Sequence, residues 1–280
     1  MSTLDCRSKT YGPFRKKTKQ HFIRRSLSRL VYVAIRWVVR VLYPRITMEG
    51  TEHLPDDGCV VVGNHAKMNG PITAELYFPG KRRIWCAAQM MDWRAVPSYA
   101  YNDFWRAKPL YIRWFYRLSS YVITPFSVCI FNNAHTIPVY HDSRIMTTFH
   151  QTIAALSDNA KVIIFPECAD PHNHIVNQFQ NRFIDVARTY YNRTGKRLSF
   201  VPMYIAPRLK TARLGHAVTF DPDRPLAQER QRICDCLMEE ITAMGEQMPL
   251  HTVVPYDNIP KKRHHTNRPD QETFHEKTNR

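Results

Sequence analysis

Two short segments carry side chains able to move a proton. Gly63-Asn64-His65 follows an apolar run ending at Val62, and Phe165-Pro166-Glu167 follows the apolar run 162–164. An imidazole with an ordinary pKa of about 6.5 accepts a proton near neutral pH. In open α/β sheets ligands bind outside the carboxyl ends of the strands. If both runs are parallel strands, His65 and Glu167 share one sheet edge, and a general base with a carboxylate beside it is placed there. Each signal alone is weak, since a lone histidine is more often structural and Glu167 also suits a helix N-cap before residue 170. His172 and His174 have a spacing that allows a shared metal, but no third ligand is evident and no metal is expected. There is no G-x-S-x-G elbow and no P-loop, so serine-hydrolase and nucleotide-hydrolase chemistry lack their motifs.

The elements that must position these groups read as alternating strands and helices. Strands are expected at 59–65, 84–90, 136–140, 161–167, 198–207 and 217–220, with helical patterns at 71–78, 143–157, 176–194 and 225–248. That alternation predicts an α/β fold, a mainly parallel or mixed twisted sheet flanked by helices. Residues 91–132 interrupt it with a dense aromatic insertion. Its longest uncharged stretch, 118–131, is divided by Pro125 and too short to span a bilayer. A helical hairpin that dips into a membrane interface or walls an acyl groove is the expectation there, against a plain core pair.

Charge is distributed unevenly. Of a net +16 over 280 residues, the segment 1–46 holds +11, from twelve Lys/Arg against the single acid Asp5. Such an arm suits nucleic acid or an anionic membrane. Within 22–43, Arg25, Arg29, Arg36 and Arg40 fall within an arc of about 60° at helical spacing, and the remaining surface is apolar. An arginine stripe beside a wide apolar face fits a bilayer surface better than a nucleic-acid groove, and no nucleic-acid partner is expected. The expected organisation is a basic arm with an amphipathic interfacial helix over 1–46, an α/β domain over 47–256, and a disordered polar tail over 257–280. The seven cysteines are scattered and read as reduced thiols. The start of the chain has no apolar segment of the kind a secretory signal needs.

Four blocks then occur in a telling order: Asn64-His65, TIPVYH (136–141), VIIFPE (162–167) and FVPMYIAP (200–207). Together they resemble the glycerol-phosphate and 1-acylglycerol-3-phosphate acyltransferase family over residues 45–225. The resemblance implies transfer of a fatty acyl group from acyl-CoA or acyl-carrier protein to a lysophospholipid, by default 1-acylglycerol-3-phosphate to give phosphatidic acid. It implies no cofactor beyond that donor, membrane phospholipids as partners, and a peripheral place on the cytoplasmic face of a membrane. By position the resemblance makes His65 the base, counts Glu167 among the catalytic residues and assigns Asn64 to substrate binding. The family's first block is His, four residues, then an Asp that orients the His; here that position is Gly70. The orienting role passes to Asn69 through its amide oxygen, or to Glu167, Asp142 or Asp170. Loss of that orientation altogether would give a non-catalytic lipid-binding relative. The resemblance assigns the acceptor's phosphate to His141 and Arg144, and makes Arg208 and Lys210 substitutes for an arginine missing from the third block.

Overall fold

The computed structural model describes residues 14–105, 109–256 and 259–268, the side chains of 14–25 and 103–104 excepted. In chain order the strands are β1 (Thr47–Glu49), β2 (Val60–Gly63), β3 (Arg82–Ala87), β4 (Thr136–Val139), β5 (Lys161–Ile164), β6 (Glu167–Pro171), β7 (Asn177–Phe179), β8 (Ser199–Ala206), β9 (Thr211–Leu214) and β10 (Val218–Thr219). The helices are α1 (Phe14–Leu42), α2 (Asn69–Tyr77), α3 (Val96–Ala100), α4 (Arg113–Asn133), α5 (Ile145–Ser157), α6 (Asp185–Thr194) and α7 (Leu226–Gln247).

The main sheet runs β1-β9-β8-β2-β5-β3-β4, with β10 also paired to β8. Its five strands from β8 to β4 are mutually parallel, and the β8–β9 hairpin supplies an antiparallel margin. Parallel strands are buried on both faces, which is why β2 and β5 read as unbroken Val/Ile runs. Alternate residues serve opposite cores. Val61, Ile163, Ile84 and Val201 pack with Ala74 and Phe78 on the α2 side. Val60, Val62, Val162 and Ile164 pack with Phe149, Ile153, Ile233 and Leu237 on the α5–α7 side. Each such side chain contributes about 1.5–3 kcal/mol by leaving water.

The expected α/β class and six strands are present. Four strands were hidden in the sequence: β1, β9, and the separate β6–β7 hairpin. That hairpin corrects the helix expected over 176–194, which is helical only from Asn181 onward. The reason is local: Asn177 N–H donates to the Glu167 carboxylate at 3.0 Å, holding 177–179 extended. Residues 259–268, expected to be disordered, pack instead. Asn267 is fully buried: its N–H donates to the His251 carbonyl, its Oδ1 accepts from His251 N–H, and its amide donates to the Gly245 and Met248 carbonyls. The rest of the expected disordered tail, 257–258 and 269–280, and residues 1–13 of the basic arm lie outside the described residues. The six cysteines described are free thiols.

Candidate active site

The register aligns Val62 with Ile164, so the next residues of β2 and β5 leave the sheet side by side. His65 and Glu167 therefore emerge at the same edge. Glu167 is 5% exposed, and its two oxygens accept from two main-chain donors: Oε2 from His65 N–H and Oε1 from Asn177 N–H. A buried carboxylate needs such partners. Glu167 thus fixes where the His65 backbone sits, and its expected role as a reacting group becomes one of positioning.

His65 itself is held from three sides. Its Nδ1 donates to the Lys67 carbonyl, two residues ahead. This contact requires an unusual turn: Ala66 and Lys67 take φ of 44° and 56°, a left-handed pair without glycine. The Phe165 ring meets the imidazole edge-on at 5.6 Å and Tyr256 does so at 5.8 Å. With the proton of Nδ1 given to a carbonyl, the lone pair lies on Nε2, the nitrogen that serves as base.

Asn69 does not orient His65. It opens α2, donates its amide to the Ala66 carbonyl at 2.8 Å and accepts from Tyr43 Oη at 2.8 Å. Gly70 has a steric reason: a Cβ there would lie 2.6 Å from the His65 carbonyl and 2.8 Å from the Phe165 ring. A turn this tight excludes the aspartate that the resemblance asks for. Asn64 is likewise corrected from ligand binding to structure. It is buried, and its amide bonds both the N–H and the carbonyl of Ile205, extending the β2–β8 pairing by one step.

The expected phosphate cations divide. Arg144 and His141 follow β4, three strand spacings or roughly 14 Å from β2. Arg144 is already paired bidentately with Asp142, which its guanidinium holds at a pKa of about 2, and it lies over the Tyr140 ring. Asp142 is consumed in the same pair and does not take its expected orienting role at His65, and Arg144, expected at the acceptor's phosphate, already has a carboxylate partner. His141 is exposed at that far margin. Asp170 is exposed on β6, where Cys168 Sγ approaches its carboxylate at 3.7 Å. Arg208 and Lys210 sit in the β8–β9 turn at the same sheet edge as His65, exposed and without ionic partners among the described residues. His174 Nε2 lies 3.3 Å from the Asn267 carbonyl and 3.4 Å from Glu246, and no group of three metal-ligating side chains occurs among the described residues.

Beside this edge lies an outward apolar surface. On α1, Leu27, Leu30, Val31, Val33, Trp37, Val38, Val41 and Leu42 are exposed, while Tyr32 is buried. Arg36 departs from the expected exposed stripe. It turns inward with Tyr32 onto the Glu75 carboxylate of α2, at 3.1 and 2.7 Å. Arg29 and Arg40 are exposed; the Arg25 side chain is outside the described residues. On α4 the exposed set is Trp114, Phe115, Leu118, Tyr121, Val122 and Phe126. Ser28 of α1 meets Cys129 and Asn133 of α4, joining the two helices. Tyr43, just past α1, reaches Asn69 in the turn after His65. Among the described residues no helix is long and apolar enough to cross a membrane.

No protein-family model and no curated protein matches the chain. Among solved structures, it is similar to the crystal structure of the 1-acyl-sn-glycerophosphate (LPA) acyltransferase PlsC from Thermotoga maritima. The match has 16% identity and a TM-score of 0.41, and covers 79% of this chain and 83% of that one. That overlap is loose, and the chemistry that follows rests on the residues of this chain.

Sequence reasoning missed three contributors. The Lys67 carbonyl depends on a left-handed turn built from Ala and Lys, types that do not announce it. Tyr256 was placed at a domain boundary. Tyr43 lay beside the helix-ending Pro44 and was read only as part of α1's apolar surface.

Proposed function

We propose that this protein is a peripheral membrane O-acyltransferase. It moves a fatty acyl group from acyl-CoA or acyl-carrier protein to the hydroxyl of a lysophospholipid, with 1-acylglycerol-3-phosphate as the acceptor the sequence blocks suggest. The observation carrying this reading is His65, held at a parallel-sheet edge with Nδ1 donating to a main-chain carbonyl and Nε2 left as base. Nε2 takes the acceptor's hydroxyl proton while the oxygen attacks the thioester carbonyl carbon. A C–O bond forms, the C–S bond breaks, and the thiol leaves with the proton. Arg208 and Lys210, on the adjoining strand turn, suit the phosphate of such an acceptor.

The apolar faces of α1 and α4 support a lipid surface as the partner. Exposed Trp, Tyr, Leu and Val beside Arg29 and Arg40 match an interface whose inner part is hydrocarbon and whose outer part is anionic. Thiol release from acyl-CoA in the presence of lysophosphatidic acid tests the reaction. His65→Ala should lower the rate by about 10²–10⁴, the range of a positioned general base. Undiminished turnover in that variant would remove His65 from the mechanism and this reading with it.

A further inference from the structure

Residues 251–256 and 259–268, called the strap below, border the site at Tyr256 and Ile259, and the second stretch carries a cluster of cations for which the residues above give no use. Tyr256 packs against His65. Three residues later, the Ile259 carbonyl accepts from Lys67 Nζ at 3.3 Å, with His264 Nε2 at the same distance. Lys67 is the residue whose carbonyl holds His65. The strap then makes a short 3-10 turn, Lys261–Arg263, closed by Arg263 N–H to the Pro260 carbonyl at 2.9 Å. All three side chains of this turn are exposed, and none has a carboxylate partner among the described residues. Arg144 presents the opposite case, its charge neutralised by Asp142 at the far sheet margin.

Three adjacent unpaired cations repel one another and are strongly hydrated. Their mutual repulsion is relieved by a polyvalent anion that meets more than one of them. The turn is anchored two residues from the Lys67 contact, so an anion bound there lies within a few residues' reach of His65. We infer that Lys261, Lys262 and Arg263 form a phosphate-binding site on the rim of the active site. The ligand class is a phosphate monoester or diphosphate borne by one of the substrates. This inference rests on the acyl-transfer reading for the identity of those substrates, but not for the binding itself.

Two probes separate the two sources of phosphate. Adenosine 3′,5′-bisphosphate represents the nucleotide end of an acyl-CoA donor, and glycerol 3-phosphate represents the headgroup of the acceptor. Neither carries an acyl chain, so binding to the full-length protein reads the phosphate alone. The Lys261→Ala/Lys262→Ala/Arg263→Ala variant removes only exposed side chains and keeps the turn's backbone bonds. Calorimetry should show its Kd for at least one probe raised tenfold or more, with the parent's affinity falling as salt screens the charges. Loss for the bisphosphate assigns the donor, and loss for glycerol 3-phosphate assigns the acceptor. Arg144→Ala should bind both as the parent does. If the parent binds neither probe, or the triple variant binds both within twofold of the parent, the inference is overturned. Phosphate binding through this turn without acyl transfer would instead count against the proposed reaction and leave the site standing.

Discussion

The turn after β2 and the helix α4 both put polar side chains inside, and they do so for opposite reasons. In the turn, Asn64 and Glu167 are buried because each fixes a backbone position: Asn64 ties β2 to β8, and Glu167 ties His65 to Asn177. In α4, Ser120, Thr124 and Ser127 are buried, but the first two hydroxyls return to their own helix at Arg117 and Ser120 carbonyls. Only Ser127 reaches outside the helix, donating to the Met90 carbonyl at 3.0 Å. The outer side of the helix carries Trp114, Phe115, Leu118, Tyr121, Val122 and Phe126. A helix such as α7, which buries Ile233, Leu237, Met238 and Ile241, follows the ordinary rule. Polar burial at the turn is a matter of geometry; polar burial in α4 accompanies an apolar exterior, of the kind that marks an interaction surface.

The largest effect on this comparison is expected at Gly70. If the turn is as closed as its contacts indicate, Gly70→Asp cannot restore a family-like orienter, because the new Cβ meets the His65 carbonyl and the Phe165 ring. The expected outcome is a loss of acyl transfer of about 100-fold together with about 1–3 kcal/mol of stability from overpacking. Turnover kinetics and denaturant unfolding measure both. A rise in activity would mean that the turn opens readily and that Lys67's carbonyl is a poor substitute for a carboxylate.

A smaller effect, confined to one property, is expected on α4. Leu118 and Val122 are 59% and 62% exposed and one helical turn apart. Changing both to Glu should leave stability within about 0.5 kcal/mol, as exposed substitutions do. Binding to vesicles containing anionic lipid should fall about tenfold, from lost apolar insertion and added repulsion. Stability loss with normal vesicle binding would reverse the assignment and make this face a protein contact. Vesicle flotation and thermal unfolding of the same variant decide between the two.

How much of this was legible beforehand depends on which forces act. The parallel core was legible because β2 and β5 are continuous apolar runs, and apolar burial is a property of composition along the chain. The shared edge of His65 and Glu167 followed from those strands. What failed were features set by single directional bonds. The Ala66–Lys67 turn, the extended 177–179 segment and the inward Arg36 each depend on one acceptor, namely the Lys67 carbonyl, Glu167 and Glu75. No local periodicity records them. Arg36 in particular lies on the arginine stripe by spacing, and only the position of α2 reveals that part of this stripe faces inward. The strap was illegible for a related reason: its Lys, His, Asn and Thr composition resembles a solvated tail, while its order comes from Asn267 and His251.

That strap sharpens the comparison further, because its buried polar groups can be titrated. His251 is buried, with Nδ1 donating to the Pro249 carbonyl at 2.7 Å and Nε2 accepting from Tyr204 Oη at 2.9 Å. Burial lowers its pKa below the ordinary value of 6.5, with the Arg268 charge adding to the same direction and the Pro249 bond opposing it. Tyr204's phenol is pushed well up by burial, with Glu167 adding to it, so it remains a donor. Protonating Nε2 removes the acceptor that this donor needs. The folded state therefore favours neutral His251, and its stabilising effect is present above pH 6.5 and is lost as pH falls through the unfolded pKa toward the folded one. One proton limits this contribution to about 1.4 kcal/mol per pH unit, the smallest of the expected effects. Limited proteolysis within 251–268 should quicken between pH 7 and pH 5.5, and His251→Gln should flatten that dependence. If the parent strap is equally protected at both pH values, its buried polar groups resemble Ser120 and Thr124 of α4, which bond only within their own helix, rather than those of the His65 turn.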